Sequence, residues 1–247
     1  MNPTVTDQWS VSKGPLVCNI VAVTVQRATF QRARSPEQRE ERRRSILDTA
    51  ASMLREMPVA DLSLNELARR VGLAKSNVLR YFDSREAVLL ELLVAEWTGW
   101  RTDAERGLEG AAGGPVGDRC GDVATVLAET LNARPVLCDL AGAQASVLER
   151  NISPERAAWF KRAVLAEVAA FAGTVRGALP ELTDAEAFEF AGAASLTAGA
   201  LWAHCRPSAA MLAAYDADPE LAALRLDFVP TLRQLLTVLL RGLLARP

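Results

Sequence analysis

The chain has 247 residues, half of them hydrophobic, and its 15 Gly and 12 Pro are scattered rather than periodic. That excludes a fibrous or repeat protein and leaves room for one large or two modest domains around a substantial core. The net charge of −2 is unevenly held: residues 27–86 carry thirteen Arg/Lys against nine Asp/Glu, whereas residues 87–247 carry fourteen against twenty, so a polyanion would meet the front of the chain and be repelled by the rest.

Residues 1–35 hold an apolar, β-branched stretch from Leu16 to Val25. It is too short to span a bilayer, and it lacks the basic flank and small-residue cleavage site of a signal peptide. A poorly ordered arm is expected; a strand-like arm and sequence translated from upstream of the true start are the alternatives. Arg27, Arg32 and Arg34 give such an arm the charge to reach DNA.

A helix is predicted from Pro36 to Met57, with Ser35 as N-cap, Pro36 at the first position and Pro58 as its end. Arg39 to Arg44 reads as a solvated face, while Ile46, Leu47, Ala50, Met53 and Leu54 form an inward stripe. Next comes SLNELARRVGLAKSNVLRYFDSRE, Ser63 to Glu86. Ser63 and Glu66 have capping-box spacing, Leu64, Leu67, Ala68 and Val71 share one helical face, and Gly72 supplies the left-handed stop. A second short helix follows, with Val78 and Phe82 inward and Lys75, Ser76, Asn77 and Arg80 outward.

This is the layout of a helix-turn-helix whose second helix enters the major groove. Lysine and arginine suit guanine edges and phosphates, and serine and asparagine suit base edges or backbone. A three-helix packing unit with a solvated basic face is the alternative. The segment from about Pro36 to Trp97 resembles the DNA-binding domain of TetR-family transcriptional regulators. The resemblance is carried by Val71-Gly72-Leu73, Lys75 to Arg80, Tyr81-Phe82 and Ser84-Arg85-Glu86. It implies DNA contacts by Ser63, Lys75, Ser76, Asn77, Arg80, Tyr81 and Arg85, the last at a helix start that favours phosphate. Two positions depart from the family pattern. Ala74 replaces the usual hydroxyl cap, and Leu79 replaces a phosphate-touching tyrosine, so no phosphate contact is carried onto Leu79.

Ser84 to about Leu108 reads as one long helix shared by two domains, with Val88, Leu89 and Leu92 on the DNA-binding side and Trp97 and Trp100 beyond. Ala111 to Gly117 reads as a loop. Helices are then expected over Asp122–Asn132, Val136–Glu149, Pro154–Ala178, Asp184–Cys205 and Phe228–Ala245, with Ser208 to Ala223 as a looser connection. No stretch reads as a strand. The expected fold is all-α, with an arm over 1–35, a helix-turn-helix domain over 36–86, and a helical effector-binding and dimerisation domain over 87–247.

Ala187 to Trp202 and Leu232 to Leu244 are apolar nearly all round and must be covered on every side. They point to a homodimer through a four-helix interface, an arrangement the resemblance also implies; central core helices of a monomer are the alternative. A dimer would set two recognition helices about 34–36 Å apart on a palindromic operator. The resemblance further implies a small-molecule effector site. Trp97, Trp100, Trp159, Phe160, Phe171 and Trp202 are its candidate lining, with Phe188, Phe190, His204 and Cys205 as further possibilities and Gln144 and Ser195 among the few polar groups. An apolar or aromatic effector fits that composition.

Cys18, Cys120, Cys138 and Cys205 lack metal-ligand spacing and read as reduced thiols of a cytosolic protein, with no metal and no cofactor expected. An enzyme is not expected: there is no nucleophile elbow, phosphate loop or paired histidine, and the adjacent His204 and Cys205 point about 100° apart on a helix. The reading is therefore a cytoplasmic, dimeric, ligand-released repressor, with no membrane partner. A regulator without an effector is the runner-up, and activation in place of repression stays open.

Overall fold

The computed structural model describes residues 36–111 and 113–246, so the expected arm, Ser35 and Cys18 lie outside the described residues. Every regular element among the described residues is helical. In chain order these are α1 (Pro36–Leu54), a 3-10 turn (Val59–Asp61), α2 (Leu64–Val71), α3 (Lys75–Val78), α4 (Arg85–Gly107) and α5 (Val116–Asn132). Then come α6 (Pro135–Ala143), a π-type turn (Gln144–Leu148), α7 (Pro154–Ala178), α8 (Asp184–His204), α9 (Ala209–Ala217), α10 (Pro219–Ala222) and α11 (Phe228–Leu244).

The helix ends follow local chemistry. Ser63, Ser84, Ser153 and Thr183 each accept a backbone N–H in the first turn of α2, α4, α7 and α8. Thr183 and Glu186 complete a reciprocal capping box, because the Glu186 carboxylate returns to the Thr183 N–H at 2.8 Å. At Ser63 only half of the expected box forms. Its oxygen accepts from the Glu66 N–H at 3.2 Å, but the Glu66 carboxylate turns to Arg69 and Arg70, which hold it down to a pKa of about 2. Gly72 ends α2 at φ 73°, a left-handed geometry that favours glycine.

One contiguous core runs from Ile46 on α1 to Leu243 on α11. Helix α4 organises it, packing on α1 at its start and on α5, α6 and α7 further along. Helix α8 lies between α6 and α7 and also touches α11, which rests on α5. The α6–α8 crossing is close enough to need two glycines: a Cβ on Gly199 would sit 2.9 Å from the Ala141 carbonyl carbon, and one on Gly142 3.0 Å from the Gly199 oxygen.

Four boundaries differ from the sequence reading. Helix α1 ends at Leu54, and Met57 falls in a tight turn ahead of Pro58. Helix α5 begins at Val116, six residues earlier than expected. The Pro115 carbonyl accepts from Asp118 and Arg119, and burial of Arg119, Cys120 and Val123 outweighs the weak helix propensity of Gly117 and Gly121. The helix from Pro135 widens into a π turn after Ala143. Residues 208–223 hold α9 and α10, with Ser208 capping an alanine-rich run, yet neither helix buries a residue.

Candidate nucleic-acid interface

The recognition segment is a single helical turn, α3, continued by turns to Phe82. Val78 and Phe82 are fully buried and pin it from below. Lys75, Ser76, Asn77 and Arg80 are exposed together on its outer side, and Ser63 is exposed at the start of α2. Ala74 caps α3 without a side-chain bond, and Leu79 is an exposed apolar residue on the same segment.

Two of the expected DNA contacts have other partners. Tyr81 is half-buried against the core. Arg85 turns inward: Nη2 donates to the Val59 carbonyl at 2.5 Å, Nη1 lies 3.7 Å from Glu86, and the buried Nε has no partner among the described residues. In this arrangement Arg85 ties the 3-10 turn to the start of α4.

Arg43, expected on a solvated face, is the clamp of the segment. Its Nη1 donates to the Tyr81 carbonyl at 2.5 Å, Nη2 donates to both Glu91 oxygens at 2.5 Å, and the guanidinium carbon stands 4.5 Å from the Phe82 ring centre. Arg156, in the first turn of α7, reaches the same cluster. It lies 3.3 Å from Asp83 and 3.7 Å from Glu91, and it stacks 5.1 Å over Trp159. The end of the recognition segment is thus held from α1 and from α7.

Helices α4 and α7 also border a cavity of about 480 Å³, together with α6, the π turn and α8, and it is open to solvent on one side. Trp97, Trp100 and Phe171 line it, with Trp100 edge-on to both of its neighbours at 5.3 and 4.7 Å. Val164, Val168 and Phe188 add to the apolar wall. Each charged side chain of the lining has an internal partner. Glu167 takes Thr98 at 2.8 Å and Arg101 at 3.3 Å, and Lys161 meets Glu149 at 2.7 Å. Gln144 donates to the same Glu149, and the Ser195 hydroxyl donates to the Ala191 carbonyl.

The remaining candidates sit elsewhere. Trp159 is partly exposed under Arg156, Phe160 is fully buried core, and Trp202 donates to Asp139 at 2.7 Å and abuts Phe228. The sequence reading missed Arg101, Lys161, Val164, Glu167 and Val168. The α7 members recur at spacings of three and four, a periodicity that separates core from lining only when the neighbouring helices are known.

Burial raises the Cys120, Cys138 and Cys205 thiols, Cys138 to about 12, which works against a reactive thiolate. Among the described residues no three His, Cys, Asp or Glu side chains gather as metal ligands, and no helix is long and apolar enough to cross a membrane.

Comparison with known proteins bears on both halves. Residues 46–92 match the family model described as bacterial regulatory proteins, tetR family, and residues 94–247 match the tetracyclin repressor-like C-terminal domain. The HTH-type transcriptional regulator EthR of Mycobacterium tuberculosis is 43% identical over 54 residues, 22% of this chain. The chain spans about a quarter of that relative's length, the match covering 25% of it. Among solved structures, a possible TetR family transcriptional regulator from Streptomyces coelicolor A3(2) has a TM-score of 0.54 at 22% identity, covering 81% of this chain and 98% of that one. The transcriptional regulator FadR from Bacillus subtilis, solved in complex with stearoyl-CoA, has a TM-score of 0.52 at 13% identity, with 81% and 98% covered. At these identities the structural likeness speaks to the fold.

Proposed function

The chain belongs to the TetR family of DNA-binding bacterial transcriptional regulators, and from that premise we propose that it acts in the cytoplasm as a homodimeric repressor, released from a palindromic operator by a small apolar or aromatic effector. One observation carries the DNA-binding part. Lys75, Ser76, Asn77 and Arg80 project together from a segment whose inner side is buried and whose end is clamped by Arg43. A segment clamped in this way loses little backbone entropy on docking, so more of its interaction appears as affinity.

The effector part rests on the cavity. Its aromatic and aliphatic wall, with every charge internally paired, suits a ligand that brings few charges of its own. FadR, of like fold, was solved in complex with stearoyl-CoA, whose acyl chain is apolar and whose coenzyme A portion is charged. Two elements lead from cavity to recognition segment. Helix α4 carries Trp97 and Trp100 and starts next to the Phe82 turn. Helix α7 carries Val164, Val168 and Phe171 and holds Asp83 and Glu91 through Arg156. A ligand that spreads α4 from α7 would tilt the recognition helices of both subunits, and groove spacing would be lost.

The experiment is selection of duplexes from a random library by the purified protein. A palindromic consensus with half-sites one helical turn or a multiple apart is expected. No enrichment, or enrichment of an unpaired site, would refute the proposal.

A further inference from the structure

The DNA-binding unit covers its large apolar side chains, with one exception. Among the described residues from Pro36 to Pro115, Leu79 alone is an exposed large hydrophobic, at 40%; the others begin at Val116, in the helical domain. Leu79 does not belong to a frayed end. Val78 and Phe82 on either side of it are fully buried. The N–H groups of Val78, Leu79 and Phe82 donate to the carbonyls of Ala74, Lys75 and Val78 at 3.2, 3.0 and 3.1 Å, so the helical course continues through Leu79.

Residues three and four apart share one side of a helix. Leu79 therefore stands one turn from Lys75 and Ser76, and Arg80 stands one turn from Ser76; all four are exposed. The leucine lies within the polar face that points away from the core. An apolar side chain has few uses there. It neither donates nor accepts, so it offers nothing to a phosphate oxygen. The groups that base pairs present in the major groove are donors and acceptors, apart from the 5-methyl of thymine. A leucine set against any of the polar groups would leave that group desolvated and unpaired, which penalises the other bases at the same position.

We propose that Leu79 packs on a thymine 5-methyl group in each half-site and so fixes one T·A pair of the operator. This rests on the DNA-binding reading above, in which Lys75, Ser76, Asn77 and Arg80 face the duplex, and adds a base preference to it. Covering one methyl with the leucine removes about one CH₂ equivalent of apolar surface from water, which is about fourfold in affinity per half-site.

The test uses the full chain and the duplex it selects. Each thymine of a half-site is replaced in turn by deoxyuridine, which removes the methyl and keeps every hydrogen-bonding group. Fluorescence anisotropy gives the affinities of the wild type, Leu79→Ala and Leu79→Met. For the wild type, uracil at one thymine position should cost about fourfold in one half-site and about fifteenfold in both, since distant sites add in free energy. The same replacement should cost Leu79→Ala nothing, while Leu79→Met, which keeps an apolar tip, should still prefer thymine. Leu79 is exposed and alanine favours helix, so the alanine variant should keep the far-UV circular dichroism of the wild type. If it does not, the deoxyuridine scan on the unaltered chain and on Leu79→Met decides. No thymine position at which uracil weakens the wild type, or the same thymine-to-uracil ratio for wild type and a folded Leu79→Ala at every position, overturns the methyl contact and leaves the DNA-binding reading standing. A selected half-site without thymine does the same. A chain that selects no duplex overturns both.

Discussion

Replacing Arg43 by alanine should weaken the DNA-binding unit more than any other change on the outer side of α1. The guanidinium makes a bond to the Tyr81 carbonyl, a two-oxygen contact with Glu91 and a ring contact with Phe82, with its side chain 21% exposed. A hydrogen bond from a charged donor is worth about 1.5–3 kcal/mol and a cation–π contact about 0.5–1 kcal/mol. These do not add, because all three share one group, and Arg156 still stands 3.7 Å from Glu91 to compensate it in part. Partial exposure screens the pair further. A net cost of about 2 kcal/mol follows, or a fall in melting temperature of about 4–8 °C for a chain of this size. Calorimetry or thermal circular dichroism measures it, with Arg44→Ala as the exposed control, expected within about 0.5 kcal/mol of wild type. Arg43→Lys keeps the charge but not the fork, and should recover less than half of the loss. Operator affinity should fall as well, by the fraction of molecules in which the segment is misplaced. A melting temperature within about 1 °C of wild type for Arg43→Ala would refute the clamp.

Gly199→Val places a branched side chain where even a Cβ meets the Ala141 backbone at 2.9 Å, and overpacking of this kind costs about 1–3 kcal/mol. An unchanged denaturation midpoint would show that α6 and α8 can part freely. Arg156→Ala should speed amide exchange over residues 75–83 while leaving α8 and α11 as protected as before; equal exchange in variant and wild type would remove α7 from the coupling path. The Glu66 carboxyl sits at about 2 because of its bonds first to Arg69 and then to Arg70. A folded-state pKa depressed in this way gives stability that is complete above the ordinary carboxylate range and is lost as pH falls toward about 2. Wild type should therefore exceed Glu66→Gln in thermal stability at neutral pH and converge with it near pH 2. A difference that does not change with pH would contradict the assignment.

What could be read without coordinates was local. Ser63, Gly72 and Thr183 announce helix ends because their chemistry acts within a few residues, and Val78 and Phe82 are placed inward by periodicity alone. Arg43 could not be found this way. Its partners lie 38 and 48 residues along the chain, and in sequence it is one of three adjacent arginines. The inward bond of Arg85 was hidden for the same reason, since the Val59 carbonyl that takes its guanidinium belongs to a turn 26 residues earlier. In the cavity, Trp97, Trp100 and Phe171 stood out by size, but so did Phe160 and Trp202, which are core. Only the packing of α4, α7 and α8 separates the two sets.

The central claim is that Lys75 and Arg80 grip DNA from the exposed side of the recognition segment. Fluorescence anisotropy of a selected duplex, titrated with the wild type, Lys75→Ala and Arg80→Ala across a salt series, tests it most directly. Affinity should fall linearly in a log–log plot against salt, and removing a phosphate-contacting cation should make that slope shallower by about 1 per subunit. Binding that ignores salt, or both variants matching wild type in affinity and slope while remaining folded, would contradict it.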